Sequence, residues 1–358
     1  LVFFILSLLT SMLLMGDLLY KRIFFDLPSV MELSHLPMLS SVSSSILTLT
    51  RPLDIFLFVD VPFWVIICSL PVKREYSSWT KSRFSITAMA TLVTVALAAN
   101  ILWTDSKNQY GHLLEAQISN MYLVQKVGIL NYHAWDLLRF TVNKLVARRS
   151  INPSELQQIT DYFRMKKRVA EEPLLPFGKA AGKNVIFLQV ESLEDFVIGL
   201  NINQIEITPF LNSLVKESWR FVNFSNQTYK GHSSDADFMV LNSLYPARNG
   251  SAAYRFTHNE FVSLPKILRQ HGYLCFSTSA EASLWNKRTM HPAYGFDPSF
   301  FIESLEKDEL INGWLSDGSF LKQTAARLAR ARQPFFAYII TATSHHPYRA
   351  AYPAAKWK

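Results

Sequence analysis

A carboxylate and a hydroxyl are the groups in this sequence best placed to do chemistry. Glu191 ends NVIFLQVE, a run that reads as a buried strand meeting an acidic residue. Ser233 and Ser234 sit in YKGHSSDADF, ahead of an apolar run that reads as a helix. Carboxyl ends of parallel strands collect active-site groups, and helix N-termini favour phosphate. The two can therefore meet at one sheet edge and hold a divalent metal and a nucleophile against a phosphate ester. Ser233 would point into the site as nucleophile, its hydroxyl made more acidic by the metal. Ser234 or Asp235 would then cap the helix. Taken singly, each group has a plainer reading: Glu191 as a surface carboxylate at a strand exit, Ser233 as an N-cap.

Two further loops carry groups suited to a phosphate-bearing substrate. Trp285, Asn286, Lys287 and Arg288 follow a predicted strand and bring an aromatic and two cations together. His345 and His346 follow another predicted strand, and adjacent positions rarely face the same way, so at most one of them enters a site. The plainer readings are a helix start with solvated charges and a solvated loop. Lys230 and His232 add positive charge beside Ser233.

The elements that must position these groups read as an α/β alternation from Asn184 onward. NVIFLQV, WRFVNF, YLCFSTS and QPFFAYIITAT read as strands. TPFLNSLVKES is a helix with Thr208 as cap and Pro209 in its first turn. SSDADFMVLNSLY opens a second, EFVSLPKILRQHG is a third that ends at Gly272, and SDGSFLKQTAARLARAR is a fourth capped at Ser316 or Asp317. This rhythm predicts an open α/β sheet with helices on its faces. Residues 104–183 read as a helical connector, with Asn152, Pro153 and Ser154 starting an amphipathic helix.

Residues 1–103 read as a membrane region with about three transmembrane helices. Leu1 to Met15 is apolar but short. Leu53 to Leu70 is apolar except for Asp54 and Asp60, read as an interfacial and a bundle-facing carboxylate. Phe84 to Trp103 has no charge. Lys73, Arg74, Lys81 and Arg83 put the 72–83 loop in the cytoplasm, and everything after Trp103 outside. Composition agrees: of 358 residues 49% are hydrophobic, 13% aromatic and 18% charged, with a net charge of +8. No block of five basic residues occurs, so nucleic acid is not expected and anionic lipid is the partner implied by the charge. Cys68 and Cys275 lie in different kinds of segment and are not expected to pair.

Taken in order, NVIFLQVES, ITPFLNSL, GHSSDADFMVLNSLYP, LWNKRTMHPAYGFD, WLSDGSF and PFFAYIITATSHHPY resemble the lipoteichoic acid synthase-like phosphoglycerol transferases. These belong to the alkaline phosphatase/sulfatase superfamily. The resemblance implies an extracytoplasmic sulfatase-like catalytic domain over residues 184–358, anchored in a bacterial cell membrane. It implies Mn²⁺ or Mg²⁺, a phosphatidylglycerol donor, and a glycan or polyglycerophosphate acceptor. It puts the metal-binding Glu on Glu191, the nucleophile and further metal ligand on Ser233, and the substrate contacts on Trp285, Lys287 and His345. Ser stands where the family commonly has Thr, and Lys287 where it has Arg, which removes the bidentate fork. The family's later Asp-His metal pair is not among these residues, so the chain reads as a fragment truncated at both ends that is inactive and binds metal poorly. A phosphoethanolamine transferase, a phosphodiesterase or sulfatase-type hydrolase, and a non-catalytic membrane sensor are the competing readings. No C-x-P-x-R motif of the sulfatase kind occurs at Ser233-Ser234-Asp235.

Overall fold

The computed structural model describes residues 2–33, 43–69, 120–146, 151–170, 178–247, 250–281, 284–311 and 313–345. The chain divides into two compact units. One comprises Leu1–Met31 with Ile46–Val146, the other Glu32–Ser45 with Ala147–Lys358.

In the first unit, helix α1 covers Val2–Phe24. It runs well past Met15, because Asp17 and Arg22 each find a partner. His133 Nε2 lies 2.8 Å from Asp17 Oδ2. Arg22 makes a forked pair with Asp54, at 2.6 and 2.7 Å. The second apolar stretch is not one span-length helix, contrary to expectation. It is a 3₁₀ turn, Pro52–Phe58, followed by α2, Val61–Ser69. Asp54 is buried against Arg22 and also accepts the Arg51 N–H, which fixes the turn. Asp60 accepts a hydrogen bond from Ser7. A nine-residue α2 is about 14 Å long, half a bilayer core. Among the described residues one helix, Phe4–Phe24, is long and apolar enough to cross a membrane. The multi-pass expectation is reduced accordingly, and Phe84–Trp103 lies outside the described residues.

Helices α3 (Asn120–Val127) and α4 (Ile129–Val146), also in the first unit, break at Gly128, whose φ of +83° suits glycine. Leu27, Leu123, Tyr132 and Trp135 form a small core there. Helix α5, Pro153–Ala170, belongs to the second unit. Asn152 Oδ1 accepts the Glu155 N–H while Glu155 Oε2 accepts the Asn152 N–H, a reciprocal cap.

The second unit is built on a parallel sheet of β1 (Val185–Gln189), β2 (Leu274–Ser279), β3 (Ser299–Phe300) and β4 (Phe335–Ile340). The spatial order is β1-β4-β2-β3. β4 is buried throughout because it is flanked on both edges and covered on both faces. Phe336, Tyr338 and Ile340 face one core with Cys275 and Phe296. Phe335, Ala337 and Ile339 face the other with Phe276 and Phe320. Helices α6 (Pro209–Lys216), α7 (His232–Asn242), α8 (Ala252–Arg255) and α9 (Leu264–Gln270) precede β2. Helix α10 (Lys287–Ala293) follows β2, and α11 (Asp317–Leu328) precedes β4. α7, α8 and α9 pack on the first core, α11 on the second. Ser316 caps α11 by accepting the Ser319 N–H.

Two strand expectations change. NVIFLQV forms β1, but at the sheet edge, so Ile186 and Leu188 are exposed instead of buried on both faces. WRFVNF forms no strand: Trp219, Phe221 and Phe224 are 74%, 77% and 86% exposed and pair with no neighbour strand among the described residues.

The difference between centre and edge is measurable. Phe336→Ala empties a filled core site and should lower unfolding stability by about 3–5 kcal/mol. Ile186→Ala should change it by no more than about 0.5 kcal/mol. Equal losses in chemical denaturation would contradict the position of β1.

Candidate active site

Strand order places β4 between β1 and β2, so the loops leaving these three strands converge at one carboxyl edge. Glu191 follows β1, Glu281 follows β2, and Thr341 to His345 follow β4. Ser233 arrives from the first turn of α7. One cleft is lined by Glu191, Ser233, Trp285, Lys287 and His345, with Glu281, Trp314 and Thr341 beside them. The five residues singled out from sequence are thus neighbours. The space between them is about 20 Å³, close to one water-sized group.

Ser233 Oγ donates to Glu191 Oε1 at 2.8 Å. The Glu191 N–H in turn donates to Thr341 Oγ1 at 3.1 Å, which ties the β1 exit to the β4 exit. Ser234 and Asp235 do not cap α7. Ser234 Oγ donates to the Gly231 carbonyl, and Asp235 Oδ2 accepts the N–H groups of Tyr229 and Gly231, both at 2.9 Å. They stitch the preceding loop to the helix instead, and Ser233 is left to face Glu191. Burial pushes the Asp235 carboxyl up to about 6, against the pull of these backbone donors.

Backbone strain marks the same places. Ser192, His232, Trp285 and Asn286 have φ of 56°, 43°, 59° and 53°. Left-handed φ is uncommon for such residues and costs of order 1–3 kcal/mol where packing imposes it. These four lie in the site or next to one of its members, while Phe25, Asn203, Gln204 and Ser243 take positive φ elsewhere. The His232 and Trp285 rings sit 5.8 Å apart, and the Trp314 and His345 rings meet edge-on at 4.8 Å.

Lys287 is not a free cation. It is buried and ion-paired with Glu281, a residue that sequence reasoning passed over. Burial opposes its charge, but the carboxylates of Glu281, Asp237 and Glu191 hold its pKa above the ordinary lysine value. Arg288 turns outward onto exposed Glu303 and does not line the cleft. His346 lies outside the described residues.

A second overlooked residue is Asp237, one turn after Ser233 and fully buried. Its Oδ1 accepts from Gln189 Nε2 at 3.1 Å and lies 2.7 Å from the Tyr338 hydroxyl. Its Oδ2 lies 3.6 Å from His291 Nε2. Burial disfavours its charge, yet His291, Lys287 and Tyr338 hold the carboxyl below the usual range. The only sequence signal was its i+4 offset from Ser233, which puts both on one face of α7.

Residues 1–148 match the family described as lipoteichoic acid synthase N-terminal domain, and residues 183–357 match the sulfatase family. The chain is similar to the lipoteichoic acid synthases along nearly its whole length. It is 30% identical to the lipoteichoic acid synthase-like protein YvgJ of Bacillus subtilis, over 96% of this chain and 55% of that one. It is also 30% identical to lipoteichoic acid synthase 2 of the same organism, over 95% of this chain and 52% of that one. The chain therefore spans about half the length of the curated relatives it matches. A crystal structure of the lipoteichoic acid synthase LtaP from Listeria monocytogenes aligns over 49% of this chain and 45% of that one, at 25% identity and a TM-score of 0.45.

Sulfatase-superfamily proteins use a divalent metal. The cleft offers Glu191 and Ser233, two oxygen donors that converge at 2.8 Å, which fits a hard cation in type. Among the described residues no cluster of three or more acidic, His or Cys ligands occurs. Such a cation would hold these two oxygens and complete its shell with water or substrate oxygens, as magnesium-type ions commonly do.

The loop ahead of α7 gives a test. A Cβ on Gly231 would stand 2.1 Å from Asp235 Oδ1, so Gly231→Ala should cost about 1–3 kcal/mol. Because the Asp235 pKa is raised from 3.8 to about 6 on folding, its contribution is full below pH 3.8 and is lost as pH rises through 6. Asp235→Asn should therefore flatten the fall in stability across that window. Identical pH profiles for the two proteins would sink this reading.

Proposed function

We propose that this chain carries the sulfatase-like part of a membrane-anchored phosphoglycerol transferase, which moves glycerophosphate from phosphatidylglycerol to a glycan or polyglycerophosphate acceptor. The observation that carries the proposal is the 2.8 Å hydrogen bond from Ser233 Oγ to Glu191 Oε1 at the mouth of a parallel sheet. The match to the lipoteichoic acid synthase N-terminal domain and the membrane-length helix Phe4–Phe24 support a lipid donor. In this reading residues 1–103 anchor the chain, 104–183 connect, and 184–358 carry the chemistry outside the membrane.

Ser233 Oγ attacks the donor phosphorus and an O–P bond forms. The bond from phosphorus to the diacylglycerol oxygen breaks, and diacylglycerol leaves with a proton. Glu191 already accepts the Ser233 hydroxyl hydrogen, so the proton starts on a path away from the attacking oxygen. In the second half an acceptor hydroxyl attacks the same phosphorus and Ser233 is released. Mn²⁺ or Mg²⁺, when bound at Glu191 and Ser233, supplies Lewis-acid charge that favours the serine alkoxide. Trp285 and His345 flank the cleft as substrate contacts. Lys287 acts from behind, its charge balancing Glu281, Asp237 and Glu191 where the family's arginine would fork a phosphate.

The decisive assay is diacylglycerol release from labelled phosphatidylglycerol with Mn²⁺, by the protein expressed with its whole coding sequence. Ser233→Ala should lower it by about a thousandfold or more, and Glu191→Gln comparably. Release unaffected by Ser233→Ala would dismiss the covalent route. Turnover of a phosphoethanolamine lipid alone would replace the donor.

A further inference from the structure

A second cleft, of about 640 Å³, opens along β3 and the amino end of β2, beneath the last turn of α11. It shares no residue with the cleft at the carboxyl edge. Its size falls in the range of small-molecule sites, roughly 300–1,000 Å³. One wall is apolar, with Phe276, Pro298 and Phe300. The other carries Arg327, Arg330 and Arg332, and the one carboxylate in the lining is Glu306.

Arg327 is the informative residue. Its guanidinium sits 3.7 Å from the centroid of the Phe300 ring and is half-buried. Among the described residues it has no carboxylate partner and no side-chain hydrogen-bond acceptor, although Glu306 lines the same cleft. Burial alone moves its pKa, downward. Arg330 and Arg332 are exposed; among the described residues Arg330 likewise has no such partner, while Arg332 donates to the Gly272 carbonyl at 3.3 Å. Cations at a helix C-terminus offset the helix dipole, but that role is best served on the solvated surface and requires neither a cavity nor an aromatic beneath the charge. A half-buried guanidinium with no acceptor, aromatic-stacked at the rim of a cavity, is a site in want of an anion.

We propose that this cleft binds a phosphate ester, with the phosphate on Arg327 and Arg330 and the organic part against Phe276, Pro298 and Phe300. Three guanidiniums against one carboxylate leave an excess positive charge that matches phosphate. The planar fork suits its oxygens. The ester can be a lipid headgroup or a soluble glycerophosphate, since both present this chemistry. The proposal does not depend on the transferase reading.

Calorimetric titration of the whole chain in a Glu191→Gln/Ser233→Ala background, with EDTA present, keeps the other cleft out of the measurement. The probes are dihexanoylphosphatidylglycerol below its micellar concentration, glycerol phosphate, and neutral dihexanoylphosphatidylcholine. Binding of either anionic probe, weakened about tenfold or more by Arg327→Leu and by Arg330→Gln, supports the site. Preference for the lipid assigns a headgroup, and equal or better binding of glycerol phosphate assigns the soluble ester. Phosphatidylcholine binding as tightly as phosphatidylglycerol, or anion binding that neither arginine variant alters, would overturn the proposal, as would no anion binding at all. Thermal melting supplies a second readout: without ligand Arg327→Leu should melt no lower than the parent, and the anionic probe should raise Tm in the parent only.

Discussion

Asp237 is the point on which the architecture of the second unit turns. A fully buried carboxylate must be compensated from several directions, and here the compensation comes from β1, β4 and α10 at once. Gln189 and Tyr338 belong to adjacent strands, so the same oxygen fixes their register relative to α7. Ser233 precedes Asp237 by one turn of that helix. The position of the hydroxyl at the sheet edge is therefore set from below, by a charge that cannot move without leaving partners unsatisfied. Lys287 and Glu281 extend the same buried field toward Glu191. The carboxyl edge of the sheet is thus an electrostatic layer with a solvent face and a protein face.

This arrangement explains which parts were legible in the sequence. β4 announces itself as an unbroken apolar run, Phe335–Ile340, because both faces and both edges of that strand are covered. The starts of α5 and α11 were visible because caps are local: Asn152 with Glu155, and Ser316 with Ser319. Glu191 and Ser233 were visible because strand ends and helix starts are where such groups gather. Glu281 was not visible, since its partner Lys287 lies across a turn whose left-handed residues Trp285 and Asn286 carry no glycine signal. Ser234 and Asp235 were misread for a related reason: their side chains were assigned to capping, whereas they reach back to Tyr229 and Gly231.

The apolar N-terminal region misled in a different way. Apolar runs suggest spans of uniform type, but polar pairs decide where helices end. Asp17 with His133 and Asp54 with Arg22 commit the ends of these runs to neighbours within the first unit. The Arg22 fork and the Arg51 N–H converge on Asp54 and close a 3₁₀ turn where hydropathy alone would continue a helix. Such pairs join residues far apart in sequence, so no window-based reading could have found them.

The flank of β1 has a practical consequence. An edge strand with no outer neighbour among the described residues and with bare Ile186 and Leu188 is a template for further strand addition. The run from Trp219 to Phe224 adds consecutive bare aromatic and aliphatic side chains with high strand propensity. A preparation of this unit by itself will behave as a sticky colloid, inclined to precipitate or to form ordered aggregates as concentration rises. Its handling calls for detergent, low temperature, or a charged substitution in that exposed run such as Phe224→Lys.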